Sequence, residues 1–175
     1  MTDVPAGPTG PDDDVTLLVN ADVVTMNSNR DVLIGGAVAF SGDRIVAVGA
    51  TSTLRTAHPD ADVIDLSGCV VTPGMIDAHQ HLTGDPLIRS CIPDLLPPGA
   101  SIFEWSVPVH GAHQPDDDEA AAVLSAVEAL CAGVTTVVEA GTVAHADRVA
   151  AGLTRIGQRA TLGVWGWDIE HGPFA

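Results

Sequence analysis

Lysine is absent from this 175-residue sequence; its 7 basic residues are all arginine, set against 23 Asp and Glu for a formal net charge of −16. Without a side-chain amine the chain has no Schiff-base former, no neutral-amine base and no lysine that carboxylation could turn into a metal bridge. It also lacks the clustered positive charge that phosphate backbones and anionic membrane faces demand, so nucleic acid and membrane are excluded as expected partners. No apolar run reaches the ~18 residues of a membrane span. Residues 1–14 contain neither a basic nor an apolar stretch and are acidic and rich in Pro and Gly, so they read as a disordered tail rather than a signal peptide. Cysteine is scarce: Cys69, Cys91 and Cys131 lie far apart among apolar or small residues and read as reduced packing residues. The expectation is a soluble, cytoplasmic protein, and 46% hydrophobic residues suit a folded one.

What is present changes texture at Pro73-Gly74. Before it, short runs rich in β-branched residues alternate with turn chemistry: Val15–Val19, Val23–Met26, Gly36–Phe40 and Arg44–Val48 are predicted strands. Ser41-Gly42-Asp43 is a compact hairpin turn, and Val63–Leu66 with Cys69–Thr72 flank Ser67-Gly68 as a second predicted hairpin. A helical turn is expected at 52–57, so residues 15–72 read as a β-rich domain of sandwich-like build. After Pro73, Met75–His81 reads as a buried strand, and residues 82–114 show no sustained period. Their length suggests a lid or pocket wall. A helix is expected from the acidic run at Asp116, with Val123, Val127, Leu130 and Val134 as its apolar face, Leu124 and Cys131 beside them, and Gly133 at its end. Val134–Glu139 then reads as a strand buried on both faces, 144–156 as a helix and 160–165 as a third strand. That order is βαβαβ, hence a parallel sheet with right-handed crossovers.

The chemistry concentrates in Pro73-Gly74-Met75-Ile76-Asp77-Ala78-His79-Gln80-His81. Residues two apart on a strand share a face, about 6.6 Å apart at ~3.3 Å rise per residue, so His79 and His81 can lean onto one ion. Each metal–nitrogen bond would be roughly 2.0–2.1 Å. A bare His-x-His also describes two polar groups on a solvated strand, but the apolar strand and the preceding Pro-Gly argue against decoration. Asp77, on the same face, either orients a ligand histidine or makes a structural hydrogen bond.

This nonapeptide resembles the first-strand signature of the metal-dependent amidohydrolase superfamily. The β-rich segment with its Asp65-Leu66-Ser67-Gly68 lead-in resembles the composite domain that precedes the barrel in that superfamily. Ile102-Phe103-Glu104-Trp105, the helix from Asp116 and Ala132–Glu139 resemble the second βα unit of its cytosine deaminase and chlorohydrolase-like branch. The resemblance implies an N-terminal composite domain followed by the first three or so βα units of a TIM (β/α)8 barrel, with His79 and His81 as metal ligands at the C-terminal mouth of the strands. It implies one divalent ion, Zn2+ or else Fe2+ or Mn2+, and hydrolysis of a non-peptide C–N bond by metal-bound hydroxide, with deamination of a cyclic amidine as the leading case. The substrate would be a small molecule.

Family members draw further ligands from later strands, and those strands are not expected here. A full barrel takes about 250 residues and each βα unit roughly 30. The segment 73–175 has room for about three units, so the sequence reads as an N-terminal part, inactive or nearly so alone, with the missing catalytic groups elsewhere. The alternatives are a cyclic amidase or aminoacylase type of the same superfamily, and a non-catalytic subunit whose barrel a partner chain or a homo-oligomer completes.

Other candidates keep two readings each. His110 and His113 are exposed loop residues or substrate contacts. Glu139, leaving the second strand of the barrel segment, makes a structural hydrogen bond, touches substrate or braces a ligand. Trp165, Trp167 and His171 pack or line a pocket. His58 and His145 read as surface residues, and the runs Asp12–Asp14 and Asp116–Asp118 as solvated charge.

Overall fold

The computed structural model describes residues 15–97 and 99–165; the expectations for the tail at 1–14, for Trp167 and for His171 lie outside them. The chain divides into two compact units, Met1–Pro73 and Gly74–Ala175.

Among the described residues the first unit is one five-stranded sheet, not the two facing layers of a sandwich. Strands β1 (Val15–Val24), β2 (Val32–Ser41) and β3 (Arg44–Ala50) form an antiparallel meander, and β4 (Asp62–Asp65) and β5 (Val70–Val71) both add to the free edge of β1. Gly42, at φ +54°, makes the two-residue β2–β3 turn, a left-handed conformation that a side chain would strain. The two strands expected at 15–26 are one, because Asn20 at φ +62° bends β1 without ending it. Nor do β4 and β5 form a hairpin; each runs parallel to β1. The Asp65 carboxylate accepts from the Ser67 amide at 3.0 Å and hydroxyl at 2.6 Å, tying up a turn after which the chain continues along the same edge. Period-two burial of Leu17, Val19, Ala21 and Val23 gives β1 one inward face, and Ala37, Ala39 and Leu54 of α1 (Thr51–Ala57) pack with Leu17 and Val19.

Among the described residues the second unit carries three parallel strands, β6 (Met75–Gln80), β7 (Val134–Glu139) and β8 (Arg159–Thr161), with β7 central. The last strand is shorter than expected, and an isolated bridge from Val143 to Val164 continues the pairing. β7 is not buried on both faces, since Val138 is exposed. Residues 82–114 hold helical pieces where no period was legible: α2 (Asp85–Cys91), a π-helical turn at Ser101–Ser106 and α3 (Val107–Ala112). Each is about two turns or less, too short to repeat an apolar stripe.

Helices α4 (Pro115–Cys131) and α5 (Ala146–Ile156) follow β6 and β7. In α4 Pro115 occupies the first turn, the Gln114 amide donates to Asp117 at 2.9 Å, and Gly133 follows the final turn. The apolar face differs from the expected one. Ala122, Ser125, Ala126 and Ala129 are buried, whereas Leu124 is 51% exposed and Val127 41%. Small side chains let the helix approach closely, and the Ser125 hydroxyl donates to the Leu82 carbonyl at 2.9 Å. Leu82, Ala122, Ala126, Val137, Val143, Val149 and Leu153 form the core of this unit. Arg148 and Arg155 reach from α5 to the exposed Asp116 and the partly buried Glu119 of α4 at 2.6–2.7 Å, with the guanidinium groups largely open to solvent and the pairs of modest energetic weight. Cys69, Cys91 and Cys131 are free and exposed, so they are not packing residues. Among the described residues no helix is long and apolar enough to cross a membrane.

Candidate metal centre

In open parallel sheets ligands bind beyond the carboxyl ends of the strands, and the sequence motif sits there. His79 is the penultimate residue of β6 and His81 follows its last. Their rings meet edge to face with centroids 5.1 Å apart. A bulge helps to place them: Asp77 pairs with Val137 and Gln80 with Glu139, so three steps on β6 oppose two on β7. The Asp77 carboxylate accepts the His79 backbone amide at 3.1 Å, holding this kink instead of gripping an imidazole. His79 is exposed and His81 half-buried.

Glu139 closes β7 on the same side of the sheet, 4% exposed. Its carboxylate accepts from the Gly141 amide at 2.7 Å, the Thr142 amide at 3.0 Å and the Thr142 hydroxyl. The Thr142 oxygen in turn lies 3.2 Å from Nδ1 of His81. Glu139 and His81 are thus joined through Thr142, a residue that sequence reasoning passed over.

Behind this lies a second polar group. His110 and His113 are not exposed loop residues: they are 6% and 9% exposed, at the end of α3 and just beyond it. Their ring centroids are 5.5 Å apart, and the His110 ring is 5.5 Å from that of Trp165. Nor is Asp118 solvated charge. At 1% exposure it accepts from His113 Nδ1 at 2.7 Å, from the His145 backbone amide at 2.9 Å and from His145 Nδ1 at 3.0 Å. His145 is correspondingly half-buried and not a surface residue. Burial works to raise the Asp118 pKa, and the hydrogen bonds from His113 and His145 outweigh it, so the carboxyl is held below its ordinary value. Burial, helped by the nearby His113, pushes the His110 imidazole down. Burial also raises the Asp85 carboxyl, against the pull of His81 and Arg89. The only sequence signal for Asp118 is its spacing, five residues after His113 in the first turn of α4.

Two neighbouring imidazoles suit a borderline-soft divalent ion as a pair of nitrogen ligands. They do not complete a coordination sphere: among the described residues no group of three or more His, Cys, Asp or Glu side chains is arranged to hold a metal.

The sequence profile of the amidohydrolase family matches residues 70–168, and that of the bacterial imidazolonepropionase-like composite domain matches residues 36–61. The chain is 38% identical over 89 residues to an N-substituted formamide deformylase of Arthrobacter pascens, covering 50% of this chain and 16% of that protein. It is 33% identical over 147 residues to a 5-methylthioadenosine/S-adenosylhomocysteine deaminase of Shouchella clausii, covering 84% of this chain and 33% of the relative. Among solved structures, an atrazine chlorohydrolase from Arthrobacter aurescens TC1 complexed with zinc superposes with a TM-score of 0.69 at 26% identity, covering 83% of this chain and 34% of that one. The chain therefore spans about a third or less of the length of each of these proteins.

Proposed function

Because the chain belongs to the amidohydrolase family, we propose that it is the N-terminal part of a metal-dependent hydrolase acting on a non-peptide C–N bond, with His79 and His81 as two of the metal ligands. On this reading residues 1–14 are a tail, 15–72 a composite domain and 73–175 the opening three strands of a TIM barrel. The observation that carries it is the end of β6, where a bulged strand delivers two imidazoles 5.1 Å apart at the carboxyl side of a parallel sheet. Zn2+, or else Fe2+ or Mn2+, when bound there would lower the pKa of a water toward neutrality. This chain's own contribution is to hold the imidazoles, to brace His81 through Thr142 and Glu139, and to wall the site with α3 and Trp165. Deamination of a cyclic amidine is the favoured reaction, supported by the likeness to a deaminase over most of the chain. The formamide deformylase match favours an amide substrate as the second reading. A split barrel completed by another chain is the third, to be recognised by a co-purifying polypeptide that supplies the missing ligands. The exposed free thiols suit a reducing cytoplasm.

In the full-length parent, His79→Ala is expected to abolish bound metal, measured by elemental analysis, and C–N hydrolysis with it. Unchanged metal content would remove the ligand assignment. The 175-residue chain with added Zn2+ is expected to leave amidines, ureas and aminopyrimidines intact, and turnover would overturn its incompleteness.

A further inference from the structure

A neutral imidazole carries one ring proton, and which nitrogen holds it decides which nitrogen can bind a metal. At His81 the surroundings answer that question. Glu139 is buried and acts as acceptor for the Gly141 amide, the Thr142 amide and the Thr142 hydroxyl. A threonine hydroxyl has a single proton, and this one is directed at Glu139. The Thr142 oxygen can then only accept from the His81 Nδ1 that faces it at 3.2 Å. Backbone geometry makes the arrangement hard to invert, since both carboxylate oxygens of Glu139 are fixed by the amides of the next turn.

We infer that Thr142 is a positioning residue which, oriented by Glu139, locks His81 in its Nδ1–H tautomer and so leaves Nε2 bare as the metal-binding nitrogen. The inference rests on the reading of His81 as a ligand for its purpose, though not for its geometry. It extends the site to a residue outside the nonapeptide motif, three positions past the end of β7. Outer hydrogen bonds of this kind typically change metal affinity ~10–100-fold when removed.

The test uses the 175-residue chain with 15N-labelled histidine, at a pH where the ring is neutral. Long-range 1H–15N spectra report which ring nitrogen is protonated, the His81 signals being identified by their loss in His81→Gln. The wild-type chain is expected to show Nδ1 protonated and Nε2 bare. Thr142→Val, which keeps the shape and deletes the hydroxyl, is expected to release His81 toward the Nε2–H form. It should also weaken zinc binding, followed at the His79 and His81 signals, by ~10–100-fold. Thr142→Ser restores the hydroxyl and should restore both. A wild-type His81 protonated at Nε2 overturns the inference, as does a folded Thr142→Val with an unchanged tautomer. Should Thr142→Val not fold, the wild-type and Thr142→Ser spectra decide by themselves. A locked Nδ1–H tautomer in a full-length parent that binds no zinc would support the lock and overturn the ligand assignment.

Discussion

Asp118 brings together the end of α3, the first turns of α4 and the start of α5 through one carboxylate. Removing it strands the buried His113 imidazole and the half-buried His145 imidazole and backbone amide, where each hydrogen bond to a charged group is worth about 1.5–3 kcal/mol. Asp118→Ala is therefore expected to destabilise the second unit by about 3 kcal/mol or more, read from urea denaturation. A value below 1 kcal/mol would mean the cluster is idle. The pH dependence follows from the depressed carboxyl. Its stabilising contribution is fully present above the ordinary, unfolded-state carboxylate pKa and is lost as pH falls through the lower folded-state value. Acid unfolding of Asp118→Asn should accordingly lack that share of its slope below about pH 4. At the same scale Gly84 is required by space. A Cβ there would come within 2.6 Å of the His110 ring. Gly84→Ala is expected to cost about 1–3 kcal/mol, as overpacking does, and to be nearly neutral in a His110→Ala background. Equal costs in both backgrounds would show that the imidazole is not the obstacle.

Elements long enough to repeat their pattern were readable from the residues: the β2–β3 hairpin around Gly42, the helix opened by Asp116, and the strand that carries His79, although that strand, expected to be buried, is mostly exposed and ends at Gln80. Short or partner-dependent features were not. The helical pieces of 82–114 are too brief to show a period. The pairing of β4 and β5 with β1 depends on partner residues nearly fifty positions earlier. For α4 the hydrophobicity pattern pointed to the wrong face, because its packing favours close approach by Ala122, Ala126 and Ala129 over bulk. The site divides in the same way. The two imidazoles were legible because their spacing matches the strand period. Asp118, Thr142 and His145 were hidden because their partners come from separate segments. Ser125→Ala tests the close approach of α4: loss of its hydrogen bond to Leu82 leaves a buried carbonyl unsatisfied, with an expected cost of about 1–3 kcal/mol in thermal or urea unfolding.

Across the whole molecule, the three-stranded sheet of the second unit has β6 and β8 each paired on one side only among the described residues. Open edges of this kind favour association with other chains. The net charge of −16 opposes such contacts at neutral pH, and that repulsion fades toward the pI near 4.3. The isolated chain is expected to self-associate increasingly as pH falls toward that value, which sedimentation would detect. A monomer throughout would argue that the edges are protected. The bulge on β6 carries one more consequence, a matter of arithmetic. A strand has two sides, so chain length between two points behaves as a parity, and the extra residue between Asp77 and Gln80 makes it odd. Deleting Ala78 would make the count even and return the ladder to plain pairing. It would turn both imidazoles together relative to Asp77 and the strand before it, leaving their own two-residue spacing unchanged.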